Sequence, residues 1–287
     1  MRKYFDPFRL AALSGAAAFL VACGGGGDAG ADGASSEGGA DADAAPAIDP
    51  ATTGTVVGTV TYTGSAPAPV SIDMSEEPAC AEKHDDAPMR VPVRVSGDGG
   101  LANGFVYIKE GLADRDWGPP GGDVTLDQEG CEYIPHVMGV RAGQDIEIVN
   151  SDGLMHNINA GPELNRGFNI NQPTNMTSTR SFARQEIMIP VRCDVHGWME
   201  GYIGVMEHPF FAVSGEDGTF RIEGLPAGDY TIGLWHEELG EREMVVTVAA
   251  QEEATADFTL DDSTAGTASL GEPLVIHHSH AAGAASR

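Results

Sequence analysis

Between residues 54 and 261 apolar and polar positions mostly alternate, which is the period of a strand with one buried face. Val56-Val57-Gly58-Thr59-Val60-Thr61-Tyr62 is the clearest run and is rich in β-branched residues. The same reading predicts strands at Val91 to Val95, Phe105 to Lys109, Val124 to Gln128 and Asp145 to Val149. Glu186 to Arg192 and Gly201 to Glu207 flank a short stretch with a different character. Five further strands follow: Phe210 to Val213, Gly218 to Glu223, Asp229 to Trp235, Met244 to Val248 and Ala256 to Leu260. Turns such as Ser96-Gly97-Asp98-Gly99-Gly100 and Glu216-Asp217-Gly218 separate them. Beyond the N-terminus, a helix is expected at most over Ser75 to Lys83. Many short strands with regular turns predict an all-β chain built as sandwiches or barrels.

The flanks break this pattern. Arg2, Lys3 and Arg9 precede an apolar run, Leu10 to Val21, that is too short for a permanent membrane span and reads as a signal peptide, 1–22. Leu20-Val21-Ala22-Cys23 resembles a bacterial lipobox. That resemblance implies export to the periplasm or cell envelope and lipidation at Cys23, with Gly24 after it favouring the outer membrane; the alternative is ordinary cleavage beside an incidental Cys. Residues 23–53 are Gly, Ala, Asp and Ser with few apolar residues, and predict a flexible tether. The tail, 262–287, is equally poor in core residues and is expected to be disordered. Its His277-His278-Ser279-His280 is either solvated or a loose metal binder.

The 287 residues suffice for one to two domains after processing. A net charge of −27 argues against nucleic acid and favours solubility and attraction of basic partners, although a saline habitat would select the same surface. The four Cys are Cys23, Cys80, Cys131 and Cys193. With Cys23 lipidated and Cys193 assigned below to a metal, Cys80 and Cys131 are expected to form a disulfide in an oxidising compartment, free thiols being the alternative.

The stretch that interrupts the strands carries the chemistry. Cys193-Asp194-Val195-His196-Gly197-Trp198-Met199 places a thiolate, an imidazole and a thioether within seven residues. Soft sulfur ligands with a weak axial Met favour copper in a trigonal Cys-His-His centre. The second imidazole is expected from Met155-His156-Asn157-Ile158. His84, His136, His208 and His236 have no Cys partner nearby and read as surface or hydrogen-bonded residues.

From Val124 to His208 the chain resembles a cupredoxin of the amicyanin type. Cys193-x-x-His196-x-x-Met199 has its short ligand-loop spacing, and Val140-Arg141-Ala142-Gly143-Gln144-Asp145-Ile146-Glu147-Ile148-Val149-Asn150 leading to Met155-His156-Asn157 has its order of strand, Gly turn, strand and His-Asn. The resemblance implies a Greek-key β-sandwich with one type 1 copper. His156 would be the buried ligand, Cys193 the thiolate, His196 the more exposed imidazole and Met199 the axial sulfur. Asn157 would tie its strand to the Cys loop. Asp194 stands where a hydroxyl residue is usual, which puts that tie in question. Gly197 stands where the pattern has Pro, which would let His196 move.

Glu216-Asp217-Gly218-Thr219-Phe220-Arg221-Ile222-Glu223-Gly224-Leu225-Pro226-Ala227-Gly228-Asp229-Tyr230-Thr231-Ile232 resembles a carboxypeptidase regulatory-like, transthyretin-like β-sandwich. Its usual first strand matches Gly54 to Tyr62, far upstream. The simplest layout is split: 54–112 and 209–261 form one sandwich, with the cupredoxin, 113–208, inserted. The alternative is two consecutive β-domains, one incomplete. The arrangement resembles exported methylamine-utilisation-type cupredoxin proteins. It implies a membrane-anchored, non-enzymatic electron carrier whose partner is a redox protein such as a c-type cytochrome or dehydrogenase. Copper storage or delivery, or a glycan- or protein-binding surface module with structural copper, are the alternatives.

Overall fold

The computed structural model describes residues 48–264. The expected signal peptide, Cys23, and most of the tether and tail lie outside these residues. The described chain is nearly all β, with short helical turns at Pro50–Thr52, Pro78–Ala81 and Asp262–Thr264. No helix among the described residues is long and apolar enough to cross a membrane.

The alternating run at the start becomes Thr53–Tyr62, which pairs antiparallel with Thr219–Pro226 and parallel with Glu253–Thr255 and Phe258–Leu260. Facing it is a sheet ordered Phe211–Val213, Phe105–Glu110, Gly228–His236, Gly240–Val248. Val56, Val60, Phe220 and Ile222 from the first sheet meet Val106, Ile108, Ile232 and Leu234 from the second in one core. Each such side chain, fully buried, contributes about 1.5–3 kcal/mol of transfer free energy. Gly58 permits the close approach of the last strands, since a Cβ there would stand 2.1 Å from the Ala256 carbonyl oxygen. Residues near both ends of the described chain thus share one sandwich.

The residues between them build another. One sheet runs Phe168–Gln172, His156–Ala160, Glu186–Arg192, Glu200–Met206, Val137–Arg141, and the other runs Thr177–Arg180, Ile146–Asn150, Val124–Glu129, Glu132–Ile134. The chain passes back and forth between these sheets in Greek-key fashion, leaving parallel pairs at Val124–Glu129 with Ile146–Asn150 and at Glu200–Met206 with Val137–Arg141. Leu126, Val140, Ile146, Ile148, Ile158, Ile189, Val191 and Ile203 fill its core. A third cluster of Phe105, Tyr107, Val137, Met188, Tyr202, Met206 and Trp235 joins the two sandwiches. Gly204 leaves room for it, because a Cβ there would lie 2.7 Å from the Phe105 ring.

Several expected elements differ. Val91 to Val95 is not a strand: Met89–Arg90 pairs with Val70–Ser71, and Val95 only bridges Leu101. Pro92 has no N–H to give a ladder, which outweighs the β-branched neighbours. Ala256 to Leu260 is interrupted at Asp257, whose carboxylate accepts the Thr59 N–H at 2.9 Å. Phe168–Gln172 and Thr177–Arg180 were not expected. Both are edge strands: Thr177–Arg180 is polar throughout, and Phe168–Gln172 alternates Phe and Ile with Asn but leaves both apolar residues only half-buried. The tail is ordered at its start, where Asp262 accepts hydrogen bonds from the Tyr62 hydroxyl and the Ser65 N–H. Met74 and Cys80, although within 54–112, are buried in the core of the 124–206 sandwich.

Candidate metal centre

The Cys193 to Met199 loop closes the hairpin of Glu186–Arg192 and Glu200–Met206. Three bonds within the loop fix its shape: Cys193 N–H to the Met199 carbonyl at 3.1 Å, Met199 N–H to the His196 carbonyl at 3.0 Å, and His196 N–H to Cys193 Sγ at 3.4 Å. The last bond points a backbone N–H dipole at the sulfur. Cys193 is free and buried.

His156 opens its own strand rather than ending the preceding one, and it lies opposite Gln172 in register. The turn from Asn150 to His156 is clamped by the Asn150 side chain, which donates to the Leu154 and Gln172 carbonyls and accepts the Asp152 N–H. That turn carries Asp152 back beneath the imidazole. His156 Nε2 is 2.7 Å from Asp152 Oδ2, and the same carboxylate accepts the N–H groups of Gly130 and Cys131 and pairs with Lys83 at 3.0 Å. Burial alone would raise the Asp152 pKa; these hydrogen bonds outweigh it and hold the group below the usual carboxylate value. An ionised Asp152 requires the proton of His156 on Nε2, which leaves Nδ1 as a lone-pair donor.

That Nδ1 lies 2.9 Å from His196 Nδ1, and His196 Nδ1 lies 3.8 Å from Cys193 Sγ. One donor atom from each of His156, Cys193 and His196 falls within 4.8 Å of the others, and all three residues are buried. Burial, and secondly the neighbouring His156, push the His196 pKa below its ordinary value, which favours the neutral, ligating form. Two imidazole nitrogens and a cysteine sulfur converging in a buried pocket suit a soft to borderline cation such as copper. Met199 is buried in the same core and belongs to the same closed loop. Cys131, Asp152 and His156 also group closely, but Cys131 is in a disulfide and offers no thiolate.

Asn157 is tied to the loop despite the Asp at 194. Its Oδ1 accepts the Asp194 backbone N–H at 3.1 Å, so no hydroxyl is needed. The Asp194 carboxylate is in turn held by Asn159 and Asn169. Asn157 Nδ2 donates to Asn169 and Asn171, and its carbonyl accepts the Tyr133 hydroxyl.

His196 is not the exposed ligand that was expected; it is only 3% exposed. The segment around Pro78–Ala81 covers it, with Cys80 Sγ 3.8 Å from His196 Nε2. Cys80 and Cys131 are joined in a disulfide across 51 residues, and this bond fastens the cover to the sandwich. The cover also removes the space in which a more mobile His196 would rotate. Trp198 also lies against His196, its ring 5.2 Å from that of His196 and its Nε1 donating to the Cys131 carbonyl. Asp152 and the cover were not anticipated. The carboxylate four residues before His156 was the one available signal.

The other histidines among the described residues are hydrogen-bonded and stand outside both groups. His84 Nε2 meets the Gly130 carbonyl, His136 meets Glu237, and His208 meets the Ile108 carbonyl. His236 Nδ1 accepts the Glu238 N–H.

Fold and site together define an all-β protein with a buried His-Cys-His donor set. No protein-family model and no curated protein matches the sequence. Among solved structures, the chain is similar to a copper-containing nitrite reductase from Thermus scotoductus SA-01 at 20% identity and a TM-score of 0.28, over 34% of this chain and 25% of that one. It is similar to a Met-to-Ala variant of amicyanin in the Cu(I) state at 12% identity and TM-score 0.26, over 34% of this chain and 99% of that one. A Pro-to-Ala amicyanin variant in the oxidised state aligns at 15% identity and TM-score 0.27, over 35% and 97% of the two chains. The chain thus spans a quarter of the nitrite reductase and nearly the whole of amicyanin.

Proposed function

We propose that the protein is a cupredoxin-type, mononuclear type 1 copper protein that carries single electrons and is not an enzyme. The observation that carries this reading is the convergence of His156 Nδ1, His196 Nδ1 and Cys193 Sγ in a buried pocket. His156, Cys193 and His196 would hold the metal, with Met199 as the axial sulfur. Bound copper supplies a one-electron couple between Cu(I) and Cu(II). The chain's own residues supply rigidity. Asp152 fixes the His156 tautomer, Asn157 anchors the Cys193 loop, and the disulfide-fastened cover excludes water. Three buried ligands held by a closed network favour electron transfer over copper delivery, which needs facile release.

In this reading the chain is exported, anchored through a lipidated Cys23 to a membrane, the outer one in a two-membrane cell, and works with a redox protein such as a c-type cytochrome or dehydrogenase. The insertion layout, 113–208 within a transthyretin-like sandwich of 54–112 and 209–261, belongs to the same reading. Copper titration with voltammetry tests the function. One equivalent should bind with a reversible one-electron wave, and Met199→Leu should retain the metal and raise the potential. Loss of copper to a weak chelator, with no reversible wave, would replace transfer with delivery.

A further inference from the structure

A carrier must bring an electron to its surface, and neither imidazole does so here. His156 is fully buried with Nε2 held by Asp152, and His196 is closed off by Cys80. Asp194, Val195 and Gly197 of the ligand loop are exposed, but Trp198 is the loop residue that both packs on the His196 ring and lines a surface groove. Trp198 is half-buried, and it lines this groove of about 390 Å³ together with Met89, Ile134 and Pro135. Met89 and Ile134 are 44% and 47% exposed and give the groove an apolar surface.

The groove's charges give it a sign. Glu132, Glu200, Glu216 and Glu237 line it against Arg90 and Arg94. Arg90 is already paired with Glu200 and Glu238, Arg94 with Glu216, and His136, which also lines the groove, with Glu237. The excess is acidic, as is the chain as a whole at −27. An apolar floor inside an acidic rim fits a partner whose apolar cofactor edge is ringed by Lys and Arg.

Resting on the copper reading above, we infer that this groove, with Trp198 at its inner end, is the docking site for a basic one-electron partner protein, and that electrons leave through Trp198 rather than through an exposed histidine. With copper held by His156, Cys193 and His196, the exchange would be a single electron passed from Cu(I) to a ferric haem, with no bond made or broken.

The test uses a basic c-type cytochrome as the probe and the metal-free, disulfide-intact protein at low salt, so that binding is read without copper. Ile134→Lys and Met89→Lys each introduce a positive charge on the groove. Val245→Lys places the same charge on a residue outside the groove lining that is 75% exposed, and Met155→Lys places it on another exposed apolar residue, next to a ligand. The two groove variants should each weaken binding about tenfold, while the other two stay within about twofold of the parent. With copper loaded, the second-order rate of cytochrome reduction should follow the same order, and oxidation by ferricyanide should not. Equal effects from all four variants, a larger effect from Met155→Lys, or no saturable binding would each overturn the docking site. A copper-loaded protein with no visible thiolate band would instead overturn the copper reading, and this use of the groove with it.

Discussion

The two sandwiches bury different things. The one built from Thr53–Tyr62, Phe105–Glu110 and the strands after Phe211 is held mainly by aliphatic and aromatic side chains that meet across two sheets, with Ser214, His236 and Glu237 buried at its margins. The one between them has a comparable apolar core but also buries Gln128, Asn150, His156, Asn157, Gln172 and His196. Those groups are cross-linked: Gln128 donates to Gln172, Asn150 bridges the turn before His156, and Asn157 binds Asp194. A buried polar network contributes little net stability and is costly when one member is removed. Its return is precision, because each donor at the site has one orientation. One sandwich is therefore a scaffold, and the other trades stability for preorganised ligands.

The comparison can be broken by substitution. Leu234→Ala, at a fully buried scaffold position, should lower stability by about 2–5 kcal/mol. Below its unfolding transition the variant should keep the parent's copper affinity and spectrum, as denaturant titration and copper titration would show. A spectrum that changes would mean that the scaffold shapes the site directly. Replacing Cys80 and Cys131 together by Ser should cost about 2–4 kcal/mol in non-reducing unfolding experiments, and it should also uncover His196. With the cover in place the midpoint potential should stay flat from acidic to neutral pH by voltammetry. Without it, a potential that rises as pH falls would reveal a freed His196.

Asp152→Asn should show the opposite selectivity to Leu234→Ala. Copper affinity should fall about 10–100-fold, as expected for a lost carboxylate partner of a ligand His, and competition with a chelator measures it. An unchanged affinity would show that the tautomer is set by the fold alone.

Acid separates the two halves more gently. Burial holds His208 and His236 at about 4, below the ordinary 6.5. His208 Nδ1 accepts the Phe210 N–H and His236 Nδ1 accepts the Glu238 N–H, so both rings are kept neutral. Their folded pKa values lie below the unfolded ones. Stability is then intact above 6.5 and is lost as pH falls toward about 4. Asp152, also depressed, withdraws its contribution only as pH falls through the carboxylate range below its ordinary 3.8. Thermal unfolding against pH should show the histidine phase first, and His208→Gln should flatten it. An acid limb confined to the carboxylate range would remove this distinction.

Much of this was legible because the relevant signals are local. Cys193, His196 and Met199 fall in one loop between two strongly β-prone runs, and His156 precedes an Asn that ties back to that loop. The all-β class followed from alternation. What could not be read depends on distance or on context. The cover over His196 requires residues 80 and 131 to meet, and no local pattern says that this bond will lie against a ligand. Asp152 matters only because the turn after Asn150 folds it beneath His156. Phe168–Gln172 does alternate Phe168 and Ile170 with Asn169 and Asn171, but five residues between polar, Gly and Pro neighbours are a weak strand signal. Val91 to Val95 misled in the other direction, since its apolar residues serve packing while Pro92 blocks a ladder.

The central claim is that Cys193 ligates copper together with His156 and His196. Copper(II) added to the metal-free protein tests it through the visible absorption spectrum. An intense thiolate-to-copper charge-transfer band, giving a blue or green protein and lost in Cys193→Ser, is the predicted result. Copper bound at one equivalent with no such band would contradict it.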